Sequence, residues 1–284
     1  MKRLLLLFAI TALSLTLGCA ASGGGPPAHN ASNVHANSPP KVAATNPFPV
    51  IHVFVALCDN VNQGIVPVSA SLGNGDNPNT NLYWGAAFGV KTFFSKNKDW
   101  EVVSETKNPA SRILDRVIFK RKDRDVFMIA DAYQGKEIAQ AMWDFFDAAA
   151  GAPGSEVSVS IGNRKLTFNS GGSADLVVYV GHDGLMDFNL QATPKARDEK
   201  KREAIMLACA SKNYFAKTLE ATGAKPLLWT TNLMAPEAYI LSAAIEGWLK
   251  KETDEAIRAR AARAYNSYQN CGLKAANGLF ATGW

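Results

Sequence analysis

The chain has 284 residues, with 30 Lys and Arg against 25 Asp and Glu, and 47% of it is hydrophobic. A formal charge of +5, mild and unclustered, gives no footprint for nucleic acid, and the mixed composition is enough for one well-filled domain. After the first twenty residues no apolar run reaches membrane-spanning length.

Met1-Lys2-Arg3 is a short basic start, Leu4 to Leu17 is apolar, and Gly18-Cys19-Ala20-Ala21 supplies small residues for a peptidase. That three-part layout predicts a cleavable export signal over 1–18 and a periplasmic, cell-surface or secreted protein. Leu15 to Cys19 also resembles a bacterial lipoprotein signal, in which Cys19 becomes the acylated first residue and ties the protein to a membrane. Thr16 stands where leucine is expected, so ordinary cleavage a residue or two later remains open. Residues 19–48 are mostly Ala, Ser, Gly, Pro and Asn and read as a flexible tether. His29 and His35 within it read as incidental. A single α/β domain is expected over 49–284.

Ile51 to Leu57 is continuously apolar, as in a strand buried on both faces, and ends at Cys58-Asp59. Gly64 to Asn81 reads as a long surface loop, and Asn81 as the cap of a helix from Leu82 to Ser95. Trp100 to Val103, Arg116 to Lys120 and Val126 to Ala130 are strands, and Lys136 to Ala150 is a helix. The alternation in Val157 to Ile161, followed by Gly162-Asn163, predicts a hairpin. Asp175 to Val180 is the clearest strand and stops at Gly181-His182-Asp183-Gly184. The charged stretch Lys195 to Arg202 reads as a solvated loop or helix face. Glu203 to Ala208 is a strand ending at Cys209. A helix (Lys212 to Thr222), a strand (Lys225 to Trp229), two helices (Pro236 to Lys251, Asp254 to Tyr268) and an irregular tail complete the chain.

Strands alternating with helices predict a three-layer α/β sandwich around a mostly parallel sheet. Ligands in such sheets sit beyond the carboxyl ends of the strands, where Asp59, Asp131, His182-Asp183 and Cys209 are expected. His52 opens its strand, at the wrong edge for a site. If the strands ending at His182 and Cys209 are neighbours, imidazole and thiol come within reach, as acid/base and nucleophile. Backbone N–H groups at Gly184 or just after Cys209 could hold an oxyanion. A divalent-metal site from Asp59, His182, Asp183 and Asp187 is a weaker alternative, because no tight ligand spacing supports it. No phosphate-binding glycine loop follows any strand, and no cofactor is implied.

Val177-Val178-Tyr179-Val180-Gly181-His182 and Ile205-Met206-Leu207-Ala208-Cys209-Ala210-Ser211 resemble the histidine and cysteine strands of caspase-like cysteine peptidases, which include metacaspases, gingipains and bacterial CHAT domains. The order helix, Gly-Ala, strand, loop, helix from Leu219 to Pro236 is similar too, and the likeness extends over roughly 51–265 in layout more than identity. It implies a Cys209–His182 dyad acting on peptide or protein substrates. It also implies a specificity pocket drawing on Thr230, Thr231 and Asn232, with Asp59 a further substrate-binding candidate. The chain departs from the pattern at Asp183, where glycine usually follows the histidine, and in the short 27-residue gap (209 minus 182). A protein of the same fold that has lost catalysis and binds a partner or ligand in the same cleft is the alternative. An exported nucleophile must stay unpaired, so either Cys58 bridges Cys271 and leaves Cys209 free, or all three thiols stay reduced.

Overall fold

A computed structural model describes residues 43–284. The export signal over 1–18, Cys19 and the tether up to residue 42 lie outside the described residues. The folded part takes in the end of the expected tether. Asn46 exchanges hydrogen bonds with the Asn169 backbone, and the Phe48 ring packs 4.8 Å from that of Phe127.

Strand β1 (Val50–Ala56) is buried along its whole length and lies between two parallel neighbours, β4 (Phe127–Tyr133) and β7 (Leu176–Val180). Side chains alternate between the faces, so Ile51, Val53 and Val55 enter one core and Val50, Phe54 and Ala56 the other. Beyond β7 the sheet continues parallel through β8 (Glu203–Leu207) and β9 (Lys225–Thr230). Antiparallel β3 (Ile113–Arg121) and β2 (Trp100–Ala110) complete one side. The result is a mostly parallel eight-stranded mixed sheet with helices on both faces. One face carries α1 (Val90–Ser95), α4 (Ala238–Leu249), α5 (Asp254–Gln269) and α6 (Leu273–Leu279). The other carries α2 (Ile138–Ala149), α3 (Ser211–Thr222) and the hairpin of β5 (Pro153–Ile161) and β6 (Arg164–Gly171), which turns at Gly162-Asn163.

Four expectations are corrected. The helix expected from Leu82 begins only at Val90, because Asn81 collects the amides of Trp84, Gly85 and Ala86 on its carbonyl and the chain wraps into turns. A side chain at Gly89 would sit 2.5 Å from the Trp84 backbone, so these turns close on a glycine. The tail is not irregular: α6 leads into β10 (Phe280–Ala281), which pairs antiparallel with β9. Arg202 is buried rather than solvated, donating to the Gly172 carbonyl at 2.6 Å and pairing with Asp198. Asp131 is in the middle of β4, opposite Phe54, and not at a strand end. There Arg116 grips it with two bonds of 2.6 and 2.7 Å, and His52 Nε2 lies 3.0 Å away. The Gly171 amide donates to His52 Nδ1, which leaves the proton on Nε2 to face the carboxylate. Burial alone would raise the Asp131 carboxyl, but Arg116 and His52 outweigh it and hold the group below its usual range.

That cluster joins β1, β3, β4 and β6, so its disruption is a test of the fold. Arg116→Met leaves a buried carboxylate with one partner and should cost about 3–5 kcal/mol in urea unfolding at pH 7. With a lowered folded-state pKa the native contribution is present above the ordinary carboxyl range and is lost in acid. The deficit should therefore shrink as the pH falls below about 4. A deficit under about 1 kcal/mol, or one constant with pH, would contradict this role.

Candidate functional site

The order of the parallel strands, β4-β1-β7-β8-β9, reverses between β1 and β7, and open α/β sheets place their ligand crevice at such a point. The loops leaving β1, β7 and β8 at their carboxyl ends carry Cys58, His182 and Cys209. Pairing of β7 with β8 ends at Val180 opposite Leu207, and both His182 and Cys209 lie two residues further on (182 minus 180, 209 minus 207). Adjacent strands lie about 4.8 Å apart. The register thus sets the two residues level at neighbouring strand ends, where His182 bonds to Asp187 and the Cys209 thiol to the Met234 backbone.

Beyond β7 the chain makes one tight turn. Asp183 Oδ1 accepts the Leu185 amide at 3.1 Å and starts a short 3-10 turn over Gly184–Met186. The turn brings Asp187 back to His182, with Oδ2 2.7 Å from Nε2. The same oxygen accepts the Gly64 amide at 3.0 Å, so the loop after β1 is fastened to the histidine through Asp187. Burial works against the Asp187 charge, but the bonds from His182 and Gly64 outweigh it and hold the carboxyl below its usual range. His182 is thereby oriented by a carboxylate, with Nδ1 as the nitrogen left for other partners. Gly184 does not offer a free oxyanion donor, because its N–H donates to the His182 carbonyl at 3.1 Å.

Cys209 sits in a sharp strand-to-helix turn. Ala210 takes φ +46°, a left-handed conformation that an alanine adopts only at a cost of about 1 kcal/mol. Four hydrogen bonds hold it. Ser211 Oγ donates to the Met206 carbonyl and accepts the Thr230 amide, while Thr230 Oγ1 accepts the Ser211 amide and donates to the Ala208 carbonyl. Thr230 is completely buried by this work and is not a substrate contact, contrary to expectation. Thr231 and Asn232 do stand exposed beside the thiol.

The thiol itself is capped. The Met234 N–H points at Sγ from 3.4 Å and the Met234 carbonyl lies 3.6 Å from it. Burial pushes the Cys209 thiol up, the Met234 amide opposes this, and the Asp183 charge adds to the rise, so near neutrality the group is a protonated thiol. Tyr83, buried in the turns before α1, neighbours both Cys58 and Cys209.

The remaining candidates are placed as follows. Cys58 is wholly buried, its thiol pushed up to about 11 by burial, and Cys271 is exposed; both are free, so the expected bridge between them is not formed. Asp59 is buried and accepts the amides of Val61 and Asn62, which makes it the cap of its own loop rather than a substrate contact. With Asp59 so engaged and Asp187 on His182, the four residues of the metal alternative do not converge. Sequence reading missed Asn81 and Gln63 as organisers. Asn81 clamps the Cys58 backbone from both sides, and Gln63 ties Leu57 to Gly135. Only the length of the loop hinted at them. No family model, curated protein or solved structure matches the chain.

The buried Asp183 has a measurable consequence. Its Oδ2 is buried without a partner, and burial pushes the carboxyl up to about 7, with the Leu185 amide opposing and the Asp187 charge adding. The folded chain then holds a proton that the unfolded chain has released between about pH 4 and 7, so stability falls as pH rises through that window. Asp183→Asn keeps the Oδ1 acceptor and cannot ionise. Its stability relative to wild type should rise by roughly 2–3 kcal/mol between pH 5 and pH 8 in urea unfolding, and a pH-independent difference would refute the assignment.

Proposed function

We propose that the chain is an exported or lipid-anchored cysteine peptidase of caspase-like fold, with Cys209 as nucleophile and His182 as general acid and base. The observation that carries this reading is the shared register of the two residues beyond the Val180–Leu207 pair, at neighbouring strand ends. In the reaction His182 takes the thiol proton while sulfur adds to the scissile carbonyl carbon. The tetrahedral oxyanion rests on the Ala210 N–H. The C–N bond then breaks, the leaving amine takes the proton from His182, and water hydrolyses the thioester to return the thiol. Asp187 is a positioning residue that holds the imidazole from Nε2 and steadies its charged form. Export and membrane attachment rest on the sequence of residues 1–19 alone. No helix among the described residues is long and apolar enough to cross a membrane.

One observation favours the alternative of a partner-binding protein without catalysis. The half-buried thiol is protonated and engaged by the Met234 backbone, and the amide proposed for the oxyanion is already bonded to the Asn232 carbonyl at 2.9 Å.

A peptide-library digestion separates the two. The wild-type chain should cleave a subset of peptides, and Cys209→Ala and His182→Ala should each lower the rate at least about a hundredfold. Cleavage that survives Cys209→Ala would refute the peptidase reading, and the absence of any cleavage would leave the binding role.

A further inference from the structure

The segment between β9 and α4 lies across the thiol as a strap. Asn232 gives its carbonyl to the Ala210 amide at 2.9 Å, and two residues later the Met234 backbone closes on Sγ from both its N–H and its carbonyl. The strap is held from behind by few bonds. Thr231 donates its hydroxyl to the Gly278 carbonyl at 2.7 Å and its amide to Leu279 at 2.9 Å, and the Ala235 amide reaches the Tyr265 hydroxyl at 3.4 Å. In its middle Leu233 is 67% exposed, while the Met234 side chain beside it is half-buried against the core. Beside it is an open cavity of about 520 Å³ lined by Leu233 itself, Tyr265, Cys271, Ala275 and Leu279.

We propose that residues Thr231–Ala235 are an autoinhibitory strap that stands in for a substrate main chain, and that the site opens when Leu233 folds back into this cavity. This rests on the reading of Cys209 as the nucleophile. A main-chain carbonyl already sits on the amide where the substrate carbonyl would sit, so a peptide displaces like with like. The exposed leucine gains apolar contact in the cavity, and that gain offsets the hydrogen bonds broken at Cys209 and Ala210. The occupied oxyanion amide and the half-buried thiol held by Met234 then describe the closed form of the enzyme.

The test is the rate of iodoacetamide labelling of each cysteine in the full chain, read by peptide mass mapping. In wild type Cys209 should label at least about tenfold more slowly than in the urea-unfolded chain, while exposed Cys271 labels freely. Removing a rear anchor, by Thr231→Ala or by Tyr265→Phe, should speed Cys209 labelling roughly three- to tenfold, about the worth of one hydrogen bond. Ala275→Phe, which fills the cavity, should slow it. Buried Cys58 reports the fold, and a variant that exposes Cys58 is replaced by the other anchor variant. Cys209 labelling as fast in the native as in the unfolded chain, or unmoved by the anchor and cavity variants, overturns the strap. Labelling needs no peptide hydrolysis, so failure of the strap is distinguishable from failure of the peptidase. Accelerated labelling without any cleavage, even by the anchor variants, supports the strap only as a removable cover of Cys209 and sinks the peptidase and the inhibitory role together. Cysteine-dependent cleavage with unmoved labelling overturns the strap and supports the peptidase.

Discussion

Parallel pairing of β7 with β8 is the constraint on which the rest of the site depends. Its last pair, Val180 and Leu207, sets two strand ends level, and two residues further on each presents its side chain, His182 or Cys209. A shift of that register by one residue would turn one of the two side chains to the opposite face. The register is protected by burial, since both strands are almost completely covered and alternate between two hydrophobic cores. The knot of Ser211 and Thr230 carries the same constraint one strand further by fixing the turn at Cys209 to the end of β9.

Two polar chains meet around this frame. On the histidine side, Asp187 links His182 to Gly64, so the loop after β1 and the turn after β7 move as one piece. On the cysteine side the connection runs through backbone groups of the strap, which are individually weak and replaceable. The contrast in strength divides the labour. A carboxylate accepting two hydrogen bonds keeps the imidazole in place, whereas each neutral main-chain contact at Cys209 and Ala210 has a net worth of only about 1 kcal/mol. Asp183 adds an electrostatic term to this balance. Its charge raises the neighbouring thiol, so its state of protonation bears on how readily Cys209 yields a proton.

Much of the frame was legible in the sequence because hydrophobic patterning reports burial directly. Continuous apolar runs identified β1, β7 and β8, and the residues that end them identified the crevice. The register itself was not legible, since it is a property of two strands together. Asp131 was misplaced for a related reason. Val126 to Ala130 is apolar and the run ends at a charge, but β4 continues three residues because Arg116 pairs with that charge inside the sheet and His52 donates a hydrogen bond to it. Asn81 looked like the cap of a helix, whereas its side chain clamps Cys58, 23 residues away in the chain, a contact no local rule could anticipate. The tail looked irregular because Leu273–Leu279 is a short helix with little periodicity, ordered by contact with α5 and β10. Thr230 read as part of a specificity pocket and is a buried staple, because its partners Ser211 and Ala208 lie about twenty residues away in the chain; Arg202 is buried because, besides its neighbour Asp198, it reaches the distant Gly172 carbonyl.

The pairing of Cys209 with His182 is tested most directly by trapping the acyl intermediate. The wild-type chain is mixed with an activated peptide ester, quenched in acid after seconds, and digested for mass analysis. A nucleophilic Cys209 predicts an acyl mass on the peptide that contains it, lost in Cys209→Ala and strongly reduced in His182→Ala. An adduct confined to exposed Cys271, or one on Cys209 that forms equally fast without His182, would contradict the pairing.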